Sequence, residues 1–246
     1  MRRLRSWAHA LRNFAVPIWV AIAIALSFAV YQTLIGKPFD DEIINAPSLE
    51  SETIHHIFLS GVSFGIVLIV GVPLGVLIAQ AGAIVRVPVF LIANLGQAVP
   101  GIGLLVLLFA FFGLGTTPTV IALVLYGLLP VLRNTVAGIQ GVDPAAVDAA
   151  RGMGMTRWQA LVRVQFPLAS PLIFAGLRTS LVLIIGTATL GNFIGGGGLG
   201  DVIAAGINNS DRVVFVGAVM VASLALLADW ALSMVERVAV PRRVGG

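Results

Sequence analysis

The sequence predicts an all-α membrane protein with six transmembrane helices, and three observations carry that expectation. Hydrophobic residues make up 58% of the 246-residue chain and charged residues 11%, far from the balance of a soluble domain. The mean hydropathy is +1.01. The apolar runs reach the roughly 20 residues a helix needs to cross hydrocarbon, and they fall at residues 14–35, 54–79, 88–112, 118–140, 169–192 and 213–235. No long polar stretch remains for a separate soluble catalytic domain.

The first run, Phe14 to Ile35, follows Arg2, Arg3, Arg5 and Arg12. It exceeds the roughly 7–15 apolar residues of a secretory signal, so it reads as an uncleaved span. The segment Lys37 to Thr53 carries Asp40, Asp41, Glu42, Glu50 and Glu52, with Pro38 and Pro47 set against a long helix; a short exposed loop is expected there. Orientation follows from the flanking cations. One side receives the N-terminal arginines, Arg86, Arg133, Arg151, Arg157, Arg163, Arg178, Arg237, Arg242 and Arg243, while the other receives Lys37 and Arg212. By the positive-inside rule both termini are expected in the cytoplasm, and six spans satisfy that parity.

Pro73, Pro100 and Pro130 fall inside spans, where a missing N–H makes either a packing kink or an opening along a transport path. Gln97-Ala-Val-Pro100-Gly101-Ile-Gly103 joins a polar side chain, a kink and small residues in mid-span. Gln97, Pro100 and Gly101 are therefore the candidate lining of a translocation path.

Between the fourth and fifth spans lies a polar insert at residues 143–167. Asp143 is a good N-cap and Pro144 suits the first helical position, so a short helix is expected through Ala150. Gly152 and Gly154 would end it. Thr156 and Gln159 have capping-box spacing, which predicts a second helix from about Arg157. Pro167 and Pro171 are expected to stop that helix near Phe166. Two short helices around a glycine turn make a knob.

The spacing inside the knob resembles the EAA signature of ABC importer permeases. That signature is a Glu-Ala-Ala triplet, a glycine four residues after its last alanine, and an Ile-x-Leu-Pro ending. Ala149, Ala150, Gly154 and Pro167 match; Asp148, Val164 and Phe166 depart conservatively. Beyond it, Leu129-Pro-Val-Leu-Arg-Asn-Thr135, Ala175-Gly-Leu-Arg-Thr-Ser180 and Phe193-Ile-Gly-Gly-Gly-Gly-Leu-Gly-Asp201 look like the permease subunit of osmoprotectant ABC importers. Those importers carry glycine betaine, carnitine, choline or proline betaine. Methionine-type and other amino-acid permeases are similar in plan but lack the Leu-Pro-Val-Leu-Arg-Asn-Thr run.

The resemblance covers roughly Ser60 to Arg243. It implies a type I ABC importer permease over residues 54–240, preceded by a unit of tail, first span and outer loop over 1–53. It also implies a second permease chain, identical or paralogous, two ABC ATPase subunits and an extracytoplasmic substrate-binding protein, all in a prokaryotic inner membrane. Asp148, Ala149, Ala150, Gly154 and Pro167 become the ATPase-coupling residues. Asp148 reaches one methylene less far than the family glutamate.

Other chemistries find little here. The glycine run at 195–200 lacks the Gly-Lys-Ser/Thr ending of a phosphate loop, and Lys37 is the only lysine, so ATP is expected on a partner and no cofactor or catalytic residue on this chain. The chain has no cysteine, and His9, His55 and His56 lack companions at metal spacing. The pI near 10.6 comes from arginines beside spans, which argues for topology and against nucleic acid. An ion-coupled secondary transporter would want carboxylates at mid-span, and the middles of the proposed spans hold none. Arg178 and Asp229, near span ends, are candidates for snorkelling or mutual pairing.

Overall fold

The computed structural model describes residues 17–22, 25, 46–207 and 209–240. The first predicted span lies outside these residues except for 17–22 and 25, which are helical. The helices described are α1 (Ala46–Gln80), α2 (Ala83–Ala98), α3 (Gly101–Phe112), α4 (Thr116–Gln140) and α5 (Pro144–Gly152). Then come α6 (Arg157–Ala160), α7 (Phe166–Ala188), α8 (Leu199–Ile207) and α9 (Asp211–Ala239). A π turn, Leu161–Gln165, joins α6 to α7, and a 3-10 turn, Thr189–Ile194, follows α7. Among the described residues four helices are long and apolar enough to cross a membrane: Pro47–Gln80, Thr116–Gln140, Arg157–Ile194 and Asp211–Ala239.

Three expectations change. Residues 46–53 are helical rather than loop, because Pro47 sits in the first turn of α1, where its absent N–H has no helical partner to lose. The third predicted span is two helices, broken at Val99 and Pro100, while Pro73 and Pro130 remain inside unbroken helices. The second knob helix does not stop at Phe166. It runs into α7, so that the span beginning at 169 by hydropathy extends back to Arg157.

Local bonding explains how that helix passes two prolines. The Phe166 N–H reaches back five residues to the Leu161 carbonyl, so a wider π turn precedes Pro167 and relieves the clash of its ring with the preceding turn. Pro171 cannot donate to the Pro167 carbonyl. The Ser170 hydroxyl donates to that carbonyl instead, at 2.7 Å.

The core is a three-helix seam. Leu59 and Val67 of α1, Leu123, Val131 and Ile139 of α4, and Ile173, Leu177 and Ile184 of α7 form one buried cluster. Between α4 and α7 the backbones approach because glycines face each other's neighbours. A Cβ on Gly127 would lie 2.6 Å from Ile184 Cδ1, and one on Gly176 would lie 2.6 Å from Asn134 Cβ. Small residues permit such contact where hydrocarbon supplies no hydrophobic drive between helices. Helix α9 packs on α7 and α8, and α2 and α3 lie against α4.

Candidate functional site

The knob stands at the arginine-rich end of the bundle. The Asp143 side chain accepts from the Ala145 N–H at 2.9 Å, so α5 begins capped. Thr156 and Gln159 form both halves of a capping box: the Gln159 N–H donates to Thr156 Oγ1 at 3.2 Å, and the Thr156 N–H to Gln159 Oε1 at 2.9 Å. Between the two helices Gly154 has φ +83, a conformation that strains side chains other than glycine. A Cβ there would meet no atom of the described residues within 4 Å, so the glycine serves the backbone angle.

The proposed coupling residues divide by exposure. Asp148, Ala149 and Gly154 are exposed, Pro167 is half-buried, and Ala150 is buried under the knob. Ala150 therefore faces the inside of the knob, where α5 packs on α6 and the π turn, rather than offering a surface. Two side chains that the motif does not mark are more prominent. Met153 is 71% exposed and Trp158 69% exposed, flanking the Gly154 turn on a polar protrusion. Large apolar groups placed so signal a contact surface. Behind them, a cavity of about 450 Å³ separates the knob from the ends of α1 and α4, lined by Gln80, Gln140, Asp148, Arg151, Arg157 and Gln165.

The path candidates gather at the break between α2 and α3. Gln97 falls in α2, its side chain outside the described residues; Pro100 is exposed at the break, and Gly101 opens α3. A Cβ on Gly101 would lie 2.9 Å from Leu190 Cδ1 and 3.7 Å from the Tyr126 hydroxyl. That hydroxyl donates to the Val99 carbonyl, which the break leaves without its helical partner. Toward the arginine-rich end, α2 and α4 enclose a groove of about 550 Å³ that includes Arg86, Phe90, Asn94, Arg133, Val136 and Gln140. Arg133 donates to Asn94 Oδ1. The positive-inside count treats Arg133 as a flank, yet it lies within α4, seven residues before Gln140.

At the opposite end, the glycine run is tied to α1. His55 Nε2 donates to the Gly196 carbonyl at 2.8 Å, and Glu52 Oε2 accepts the Gly198 N–H at 2.8 Å. Buried His56 donates through Nε2 to the Ile185 carbonyl at 3.0 Å. Gly195, Gly197 and Gly198 have φ of +70, +75 and +83, so the run turns tightly and packs closely. The Asn192 amide donates to Asp201 Oδ1 at 2.7 Å, bracing the turn into α8. Arg178 and Asp229 do pair across α7 and α9, through two parallel bonds of 2.7 Å, with Glu236 at 3.7 Å from the same guanidinium.

Comparison with known proteins places this geometry. Residues 71–239 match the family described as binding-protein-dependent transport system inner membrane component. The carnitine transport permease protein OpuCD of Listeria monocytogenes serotype 1/2a (strain 10403S) is 40% identical over 203 residues, 80% of this chain and 89% of that protein. The glycine betaine/carnitine/choline transport system permease protein OpuCB of Bacillus subtilis (strain 168) is 39% identical over 207 residues, 82% of this chain and 93% of that one. In fold, the chain is similar to a chain of the inward-facing MetNI methionine ABC transporter, with a TM-score of 0.72 at 22% identity, over 80% of this chain and all of the other.

Proposed function

The chain belongs to the family of binding-protein-dependent transport system inner membrane components, and on that premise we propose that it is the permease subunit of an ATP-driven importer of quaternary-ammonium osmoprotectants. Glycine betaine, carnitine, choline and proline betaine are the substrates in view; the names of the relatives support this class over methionine. The likeness to the methionine transporter, at 22% identity, speaks for the fold alone. The working assembly is two permease chains, identical or paralogous, in a prokaryotic inner membrane, with the permease unit at 54–240 and both termini in the cytoplasm.

The observation that carries the reading is the knob. It is capped at both helix starts, turned by a glycine with φ +83, and crowned by exposed Met153 and Trp158. Such a rigid protrusion suits a cleft on a separate ATPase, with Asp148, Ala149 and Gly154 at the contact and Ala150 and Pro167 holding the knob's shape. ATP binding would close the paired ATPases, carry the knobs with them and open the permeases toward a binding protein outside. ATP is bound by the partner, and no step of its chemistry falls to this chain.

The test is growth. In a strain lacking its own betaine uptake, the chain with its ATPase and binding protein restores growth at high osmolarity when glycine betaine is supplied. Uptake in vesicles then requires ATP on the cytoplasmic side and survives ionophores. A binding protein that takes methionine and none of the four osmoprotectants overturns the substrate class; uptake that needs an ion gradient and no ATP overturns the importer.

A further inference from the structure

The groove between α2 and α4 holds a cation where a membrane helix should not. At 1.5 Å per residue, the 25 residues of α4 span about 37 Å, against about 30 Å of hydrocarbon, so each end of α4 protrudes by roughly 3–4 Å. With α4 centred and upright in the bilayer, Arg133, seven residues before its end, sits about 10 Å from that end and about 6–7 Å below the hydrocarbon edge. Its side chain is exposed on the groove and turned toward α2. The hydrogen bond to Asn94, eleven residues into α2, holds the guanidinium inward. An arginine kept at such depth needs water or a counter-charge, and such residues face cavities rather than lipid.

The other groups in the groove define what that counter-charge is. Among the described residues no carboxylate lines it; Arg86, half-buried, adds a second guanidinium. Phe90 supplies an aromatic wall on the same groove. A guanidinium presents several donors in a plane that matches a carboxylate, and Asn94 occupies only one of those on Arg133. An aromatic ring attracts a quaternary ammonium. Helix α2, which carries Phe90 and Asn94, ends at the Pro100 break.

We infer that this groove is a substrate site on the cytoplasmic side of the translocation path, that Arg133 receives the carboxylate of a zwitterionic betaine there, and that it disfavours choline, which has the ammonium and lacks the carboxylate. Asn94 positions the guanidinium, and Arg86 draws the carboxylate on toward the mouth. The site rests on the substrate class proposed above and narrows it to carboxylate-bearing osmoprotectants. It acts after the binding protein has delivered its cargo, so its affinity need only be weak.

Weak binding calls for saturation-transfer NMR on the N-methyl protons of glycine betaine, carnitine and choline, using the purified permease–ATPase complex without binding protein. The expected result is a several-fold stronger signal for glycine betaine and carnitine than for choline. Arg133→Gln lowers the betaine signal at least five-fold, to the level of choline, and Arg133→Lys restores part of it. ATPase co-purification with Arg133→Gln shows that the variant is assembled, and Asn94→Ala, which keeps the charge and frees its position, gives an intermediate loss. Equal signals for choline and glycine betaine in the unaltered complex overturn the inference. So does an Arg133→Gln complex that retains the betaine preference, or one whose only change is loss of co-purified phosphatidylglycerol, which would make the groove a lipid site. A binding protein that accepts no betaine sinks the substrate class instead; one that accepts betaine beside an indifferent permease sinks only this site.

Discussion

The knob and the glycine run are both glycine turns with positive φ, and they are built in opposite ways. Around Gly154 there is open space on every side a Cβ could take. Around Gly197 and Gly198 a Cβ would press on the rings of His55 and His56 at 2.9 and 3.1 Å. The knob satisfies its backbone through residues two or three positions away, Asp143 to Ala145 and Thr156 to Gln159. The glycine run bonds within itself through the Gly195 and Gly196 N–H groups, but it is also tied to α1, more than 140 residues away in sequence. A turn closed by its own neighbours can stand out from the protein and keep its shape for a partner. A turn tied to distant residues is part of the core, and at Gly196, Gly197, Gly198 and Gly200 a Cβ would meet another atom at 3.1 Å or less.

Substitution of a single glycine at each place separates these roles. The largest loss of the chain's own stability is expected for Gly200→Val, whose side chain would strike the Thr189 backbone carbonyl. Overpacking against backbone costs at or beyond the upper end of about 1–3 kcal/mol. Size-exclusion of the detergent-solubilised chain should show the monodisperse peak reduced several-fold; an undiminished peak would mean that the run is not packed as described.

Gly154→Val is expected to cost less, about 1–2 kcal/mol for a β-branched residue held at positive φ, because no atom has to move aside. The chain stays monodisperse, and recovery of the ATPase by co-purification falls. Full recovery together with normal uptake would remove Gly154 from the coupling surface and blur the contrast between the two turns. Trp158→Ala should be nearly silent in stability, within about 0.5 kcal/mol for so exposed a site. ATPase recovery is nevertheless expected to drop, since the proposed contact includes Trp158. A melting temperature that falls as far as with Gly154→Val would show Trp158 to be structural.

What the sequence discloses follows the same division. The caps at Asp143, Thr156 and Gln159 were readable because their partners are adjacent, and the family motifs carried the fold. Pro47, Pro167 and Pro171 misled the boundaries: a proline rule assumes that the lost bond has no substitute, whereas a first turn, a π turn and the Ser170 hydroxyl each provided a way through. The cation count reads Arg133 as a flank because counting does not measure position along a helix. The tie between Glu52, His55 and the glycine run could not be read at all, since nothing in one sequence pairs residue 52 with residue 198. Likewise the apolar Met153 and Trp158 gain meaning only when the surface around them is known.

The absence of a stop at Pro167 has a mechanical consequence. From Arg157 to Ile194 the chain forms one 38-residue helical rod, about 57 Å at 1.5 Å per residue. One end carries Trp158 and the knob, and the other ends where the glycine run begins. The helix continues through both prolines, and the contacts of Gly127 and Gly176 lie near the middle of its length. Held against α4 near its middle, such a rod tilted by a push on the knob would swing its two tips in opposite directions, one on each side of the bilayer.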